Sequence, residues 1–394
     1  MESAPENGEW RPGRLTVVGM GLLGASLAEA ARRRWPSLSV AAVSSPATLA
    51  KAREAGIADQ GFAYADIDSA VADADLVVLC TPIDHIQGIL EAWARKPPRC
   101  RPGCIFTDVG STKAGICALG RKAFPPGSDG VFIGSHPMAG SEKTGMEARD
   151  PLLFQNASWV ICPPESKGGS AAGEAAVAAA TTEESQATDR LQGFAQALGA
   201  RATRMGAELH DRVAAHVSHL PQLLSTALAS YVGGRRAVVE NCLQIAGGGF
   251  RDMTRLAASS FPVWEPILQS NREAVREVLA GFREHLESLE QSLAKDLGAE
   301  FFRDGNRLRA QLSTSGKGFA LPPAEILVDL EDRPGALAEA FGALAAEGIN
   351  VLDAEILKVR EGEGGTMMMG FHGPGDARAA LECLAGAGYK ARTR

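Results

Sequence analysis

Two groups of residues in this chain have the types and spacing that alcohol oxidation with a nucleotide cofactor requires. The first is Gly134-Ser135-His136-Pro137-Met138-Ala139-Gly140-Ser141-Glu142, which follows the apolar run Val131 to Ile133. That run reads as a buried strand, so a lone histidine is expected at its end, among small residues and with its ring pointing into open space. Imidazole titrates near neutrality, and His136 can therefore take a hydroxyl proton while hydride leaves the same carbon. The second group is Leu15-Thr16-Val17-Val18-Gly19-Met20-Gly21-Leu22-Leu23-Gly24, which runs into the helix-forming stretch Ala25 to Arg32. Strand, G-x-G-x-x-G turn and helix in this order are the context of a dinucleotide-binding fingerprint. Gly19 permits the tight turn, Gly21 lets backbone approach the pyrophosphate, and Gly24 allows close helix–strand packing. Leu22 and Leu23 open the helix whose free N–H groups would carry the pyrophosphate.

One part of the fingerprint is missing. The run Leu38 to Val43 should end in an acid that holds the adenosine ribose, but Ser44-Ser45-Pro46 stands there. Nothing then repels a 2′-phosphate, and no arginine beside the serines attracts one, so NAD and NADP both stay open. Ser44, together with Thr81 and Pro82 after the run Leu76 to Cys80, completes the candidate cofactor contacts. Ser111 lies in the turn Asp108-Val109-Gly110-Ser111-Thr112-Lys113, at the strand edge where such folds bind ligands. Ser111 also suits a helix N-cap, and Lys113 a solvated helix position. His216 and His219 are three apart without a third ligand at suitable spacing, and Cys100 and Cys104 lack a second ligand pair, so no metal is expected.

These residues need a scaffold, and the pattern of the chain supplies one. Apolar runs alternate with helical patterns through the first half, which predicts a parallel, doubly wound α/β sheet of Rossmann type over residues 14–206. Ala157 to Cys162 and Ala200 to Met205 read as its later strands, with 163–187 as an inserted loop and a helix from Thr188 to Leu198. Residues 207–312 are helical almost throughout. Val275, Val278, Leu279, Phe282, Leu286, Leu289 and Leu293 form the seam of a long helix, which points to a subunit contact and a homodimer. Residues 313–323 read as a linker. The final segment, 324–394, follows the order strand, helix, strand, strand, helix, strand of a small α+β ferredoxin-like unit.

Composition narrows the class. The chain has 394 residues, enough for two or three domains, and a net charge of −7 without a basic run, which argues against nucleic acid. No apolar stretch reaches membrane-spanning length, and residues 1–13 read as a polar, disordered tail rather than a signal. Seven cysteines, an odd number without a paired framework, suggest reduced thiols and a cytoplasmic enzyme.

Taken together, the glycine fingerprint, Asp108 to Lys113, His136 to Glu142, His210-Asp211, Ser218-His219-Leu220-Pro221 and Gly247 to Arg255 resemble the prephenate/arogenate dehydrogenase family. Asp332-Arg333-Pro334-Gly335-Ala336-Leu337 and Gly348-Ile349-Asn350 resemble an ACT domain. The resemblance implies oxidation of prephenate or arogenate with loss of carbon dioxide, with NAD or NADP as cofactor. It implies that His136 is the base, that the Ser111 hydroxyl bonds both substrate and His136, and that Arg255 holds a substrate carboxylate with Arg251 nearby. Arg251 and Arg255 would share one face of a helix, and their planar forks suit carboxylates, although surface pairing with Asp252 or Glu265 is the alternative. Ser218, His219, Gly248 and Trp264 join the candidate substrate site, with Gly247 to Gly249 allowing close backbone approach and Pro221 kinking the helix beside His219. Gln222 stands where relatives carry histidine and offers no carboxylate to the ammonium of arogenate, which weighs toward prephenate. Tyrosine is the implied ACT effector, at Asp332, Pro334, Gly335 and Asn350. A non-catalytic ligand sensor on the same fold is the reading of another class, although a sensor need not keep His136, Ser111 and Arg255 together.

Overall fold

Arg14–Val18 forms β1, and its apolar residues are fully buried because paired strands flank it and helices cover both faces. In this computed structural model the described residues are 10–140, 144–164, 181–295, 297–315, 324–360 and 364–393. After β1 come α1 (Leu22–Arg34), β2 (Ser39–Val43), α2 (Pro46–Glu54), β3 (Gln60–Phe62), α3 (Ile67–Val71), β4 (Leu76–Leu79), α4 (Ile83–Arg95), β5 (Cys104–Asp108), α5 (Ala114–Ala123) and β6 (Gly130–Phe132). The strands form one parallel sheet in the order β3-β2-β1-β4-β5-β6, the doubly wound arrangement that the strand–helix alternation predicts. The chain departs from the middle strands in opposite directions between β1 and β4, which opens a crevice at their C-terminal ends.

The apolar run before His136 does not end in open space. It feeds two strands, since β6 stays in the main sheet while β7 (Gly134–Pro137) turns away and pairs antiparallel with β8 (Ser158–Cys162). β9 (Arg201–Arg204) then pairs parallel with β8, so β8 and β9 belong to a second, three-stranded sheet and not to the main one. His136 thus sits inside a strand, opposite Val160. Between β8 and β9, α6 (Thr182–Ala197) starts earlier than the expected Thr188. Its capping box, Thr181 accepting from Glu184 N and Glu184 from Thr181 N, was legible as T-x-x-E. The expected loop at 163–187 therefore loses its end to this helix, and 165–180 lie outside the described residues. So do residues 1–9 of the expected tail, but Trp10 packs against the main core and Pro12 is buried.

The helical half runs through α7 (Ala207–Ala214), a π turn at Ala215–His219, α8 (Leu220–Gly233), α9 (Arg236–Ile245), α10 (Gly248–Thr254), a 3₁₀ turn at Arg255–Ala258, α11 (Phe261–Ser270) and α12 (Arg272–Leu293). The π turn ends just before Pro221. A proline ring there would clash with the carbonyl four residues back in a regular helix, and the wider turn relieves this. Val275 and Val278 of the apolar seam are buried, but Leu279 and Leu286 are 43% and 47% exposed, so its outer part finds no cover among the described residues.

The chain divides into two compact units, residues 1–286 and 287–394. The second contains α13 (Ala299–Ser315), which extends into the expected linker; 316–323 lie outside the described residues. It also holds β10 (Ala324–Leu330), α14 (Ala336–Ala346), β11 (Asp353–Arg360), β12 (Gly364–Phe371), α15 (Pro374–Gly386) and β13 (Lys390–Thr393). These strands form an antiparallel sheet in the order β11-β12-β10-β13, with Ala340, Leu344, Ala380 and Leu384 of the two helices in its core. Asn350 lies ahead of β11, which begins at Asp353.

Candidate active site

The glycines of the first turn act by geometry. Gly19 has φ of +98°, which disfavours any side chain, and a Cβ on Gly24 would lie 2.0 Å from the Gly19 carbonyl oxygen. α1 can therefore approach β1 only with glycine at position 24. Gly21 meets nothing within 4 Å, and no side chain caps the first N–H groups of α1, at Leu22, Leu23 and Gly24. Gly19, Gly21, Ser44, Thr81 and Pro82 line one cavity of about 280 Å³. Among the described residues the buried Thr81 hydroxyl has no hydrogen-bond partner, so a ligand with polar groups suits this cavity. The residues present fit a dinucleotide whose pyrophosphate rests on the start of α1.

On the C-terminal side of the same sheet, three side chains form a directed chain of hydrogen bonds. His136 Nδ1 is 2.9 Å from His210 Nε2, and His210 Nδ1 is 2.8 Å from Asp211 Oδ1. The carboxylate can only accept, so His210 carries its proton on Nδ1 and presents a bare Nε2. His136 must then donate from Nδ1, which leaves its Nε2 lone pair free to accept a proton. This tautomer is the one a general base needs.

Asp211 does more than orient His210. Its Oδ1 also accepts from Lys113 N at 2.6 Å and its Oδ2 from Ala114 N at 2.9 Å, so the carboxylate of α7 caps the start of α5. The serine turn therefore takes its cap from a distant element. Ser111 is partly buried in that turn, neither capping α5 nor bonding His136 among the described residues. The expected Ser111–His136 bond is replaced by the bond to His210.

Lys113 is not a solvated helix residue. Its side chain is fully buried, as is that of its partner Asp108, and Lys113 Nζ also donates to the Ser135 carbonyl at 2.8 Å. Asp108 in turn accepts from Ser135 N at 3.2 Å and Gly110 N at 2.8 Å. The backbone directly before His136 is thus pinned on both its donor and its acceptor. Burial, and next the charge of Lys113, hold the His136 pKa well below the usual imidazole value of 6.5, with smaller contributions from His210 and His219. The His136 ring therefore stays neutral and able to accept a proton at physiological pH.

His219 is buried at the π turn, and its Nδ1 accepts from Asn271 Nδ2 at 3.2 Å. The same amide nitrogen donates to the Asp211 carbonyl at 2.8 Å, which ties α12's start to α7. Burial pushes the His219 pKa down to about 4, so the ring is neutral and its Nε2–H is a donor. Trp264 of α11 meets it edge-on, with ring centroids 5.9 Å apart. His216, by contrast, is exposed and bonds the Arg212 carbonyl, and no group of three metal-ligating side chains occurs among the described residues.

The remaining substrate candidates lie on the π turn, α10 and the 3₁₀ turn. Ser218 is partly buried, Gly248 is exposed, and Gly247 to Gly249 all face open space. Arg251 and Arg255 are exposed, and neither forms an ion pair among the described residues, with Asp252 and Glu265 included. The turn carrying Arg255 is fastened to α8 by Gln222 Nε2 to Leu256 O at 2.8 Å and by Ala257 N to Ser225 Oγ at 3.1 Å. Glu142 and Ser141 lie outside the described residues.

A glycine turn ahead of an uncapped helix, together with a neutral imidazole oriented as a base, defines a nicotinamide-nucleotide-dependent dehydrogenase. Family models agree along the chain: prephenate dehydrogenase, nucleotide-binding domain, over residues 27–181; prephenate dehydrogenase, dimerization domain, over 206–305; and ACT domain over 324–382. The chain is 27% identical over 376 residues to a prephenate dehydrogenase of Bacillus subtilis, covering 94% of this chain and 95% of that one. It is 30% identical over 305 residues to a cyclohexadienyl dehydrogenase of Zymomonas mobilis, covering 76% and 96%. The crystal structure of prephenate dehydrogenase from A. aeolicus with hydroxyphenyl propionate and NAD+ superposes with a TM-score of 0.64 at 25% identity, over 76% of this chain and 98% of that one. The chain belongs to the prephenate/arogenate dehydrogenase family, and it is an oxidoreductase with an ACT domain.

The buried pair gives a pH-dependent test. Removing the ammonium with Lys113→Met leaves Asp108 buried and unpaired and should cost about 3–5 kcal/mol in urea unfolding. It also removes a charge that disfavours protonated His136, so the His136 pKa should rise toward 6.5. The acidic limb of kcat/KM should then move to higher pH than in the parent enzyme. A variant with lost stability and an unmoved limb would restrict Lys113 to packing. For the parent, the unfolded chain gains these histidine protons near pH 6.5 and the folded chain only below it, so stability falls as pH drops below about 6.5.

Proposed function

We propose that this chain is a cytoplasmic, homodimeric prephenate dehydrogenase, which converts prephenate to 4-hydroxyphenylpyruvate and carbon dioxide. The observation that carries the reading is the bare Nε2 of His136, set by the hydrogen bonds through His210 to Asp211. When bound, NAD or NADP supplies the acceptor for the hydride from the hydroxyl-bearing ring carbon. His136 Nε2 takes the hydroxyl proton as that carbon is oxidised. Cleavage of the ring carboxylate as carbon dioxide sends its electron pair through the ring to the oxygen, and the phenol that forms takes a proton back. Charge balances without a metal or an added acid, because the dianion loses hydride and becomes a monoanion.

Prephenate carries two carboxylates, and Arg255 with Arg251 supplies exposed cations without an ion-pair partner among the described residues. The neutral His219, with Trp264 beside it, can donate a further hydrogen bond; Ser218 and Gly248 complete the proposed substrate site, and Ser111 meets the substrate hydroxyl. Arogenate is the second reading, since it differs from prephenate by one ammonium group. Gln222 favours prephenate, because its amide is engaged with Leu256 O, Thr226 Oγ1 and Ser259 Oγ and carries no charge to meet an ammonium. The partner subunit covers the exposed apolar side chains of the helical half, among them Ile245, Val263, Leu279 and Leu286.

Replacing His136 with Asn should lower kcat by about two to four orders of magnitude while leaving substrate binding largely intact. Near-normal turnover would sink the assignment of the base. Arg255→Ala should act mainly on KM, since the carboxylate it holds is present before and during the reaction. A change in thermal stability alone would make Arg255 a structural residue.

The ACT unit senses tyrosine. Gly335, with φ of 91°, ends the Asp332 to Pro334 turn in the left-handed region and starts α14, whose first N–H groups have no side-chain cap to compete with a ligand's carboxylate. Asn350, exposed ahead of β11, supplies polar groups to the same ligand. For tyrosine to inhibit, it must bind the less active state more tightly. Calorimetry should detect tyrosine on the full chain, and inhibition should disappear when residues 324–394 are deleted. Inhibition that survives the deletion unchanged would place tyrosine in the active site as a product analogue.

A further inference from the structure

We propose that Lys51, with the hydroxyls of Ser44 and Thr48, reads a phosphate on the 2′-position of the adenosine ribose, so that this enzyme selects NADP over NAD. The inference rests on the dehydrogenase reading above and adds the identity of the nucleotide.

Its starting point is the strand that lacks its acid. β2 ends at Val43, and Ser44 follows where a carboxylate would hold an unphosphorylated ribose. Sequence offers no cation beside that serine. The fold brings one from further along, because α2 runs back past the end of β2 and Lys51, Thr48 and Ser44 all line the cavity that holds Gly19 and Gly21. In a sheet ordered β3-β2-β1-β4, the adenosine half of the cofactor lies on the β2 side of that glycine turn. The three side chains therefore surround the ribose end rather than the nicotinamide end.

Donors are already set there. Ser45 caps α2, accepting from Thr48 N at 3.4 Å, and its hydroxyl lies 2.9 Å from that of Thr48. Ser44 is fixed by its own N–H, which donates to Phe62 O at 3.1 Å, and Tyr64 lines the same cavity. The start of α2 adds its positive end to the same place. A phosphate with three acceptor oxygens matches an ammonium flanked by two hydroxyls.

Lys51 is engaged by Glu147, which belongs to the short turn Met146–Ala148 and lines the same cavity. Both side chains are mostly exposed, at 57% and 64%, and such a pair contributes little to stability. A phosphate carrying close to two charges outcompetes one solvated carboxylate for the ammonium. The opposite role for Glu147, that of the missing ribose acid, would favour NAD. Against it stands the carboxylate's own engagement by Lys51, which holds the acid on the cation instead of on a sugar hydroxyl.

Equilibrium binding of NADP+ and NAD+, followed by tryptophan fluorescence and by calorimetry at low and high salt, tests the proposal without turnover. The parent should bind NADP+ at least about tenfold more tightly, with an affinity that falls more steeply with salt than that for NAD+. Lys51→Met should weaken NADP+ about tenfold or more and leave NAD+ within about twofold. Glu147→Gln should strengthen NADP+ and leave NAD+ unchanged, and 2′-AMP should compete better than 5′-AMP. An unchanged NADP+/NAD+ ratio in Lys51→Met, or a selective loss of NAD+ in Glu147→Gln, overturns the proposal while the dehydrogenase reading stands. Failure of the parent to bind either nucleotide would overturn the dehydrogenase reading itself.

Discussion

The carboxylate of Asp211 is the constraint on which the catalytic arrangement depends. One oxygen holds the His210 ring and the Lys113 backbone, and the other holds Ala114 N. A single group thus joins the helical half to the first turn of α5 and sets the direction of the proton chain that ends at His136. An acceptor without a proton at the end of that chain leaves only one tautomer for each ring. The alternative tautomer of His136 would present an N–H to a substrate hydroxyl and could not take its proton.

A buried charge pair supports this carboxylate network. Lys113 and Asp108 are both fully buried, a costly arrangement that persists because Ser135 and Gly110 satisfy the remaining donors and acceptors. Their effect is felt one residue further on. Ser135 is gripped by its N–H, its carbonyl and its hydroxyl, so β7 leaves the main sheet at a defined angle and His136 has little freedom. Burial, and next the same ammonium, keep His136 unprotonated, while the bond to His210 orients its ring.

The other ends of the site are built differently. Arg255, proposed to hold a substrate carboxylate, stands exposed on a turn whose backbone is fastened to α8 by Gln222 and Ser225. The nucleotide end depends on the absence of side chains, since Gly24 and Gly19 allow a contact that a single Cβ would block. The ACT unit has a core of its own, formed by one face of its sheet and two helices.

Much of this was legible in the residues because its cause is local. A positive φ at Gly19, the alternation of buried strands with helices, the proline that breaks regular helix after His219 and the strand order of the last unit all follow from neighbours in the chain. Arg251, Arg255 and His136 were legible as chemistry for the same reason, since their types and spacing suit carboxylates and a hydroxyl proton. What each side chain touches was not legible. The His136–His210 bond spans 74 residues, the Lys113–Asp211 contact 98, and Lys51 reaches Glu147 across 96. Lys113 reads as an ordinary helix lysine until the fold removes water from it, and Ser111 reads as a cap until Asp211 takes that place. Motif and period reveal which groups can do chemistry, whereas burial and long-range hydrogen bonds, which exist only once distant segments pack, decide which protonation state and which partner each group has.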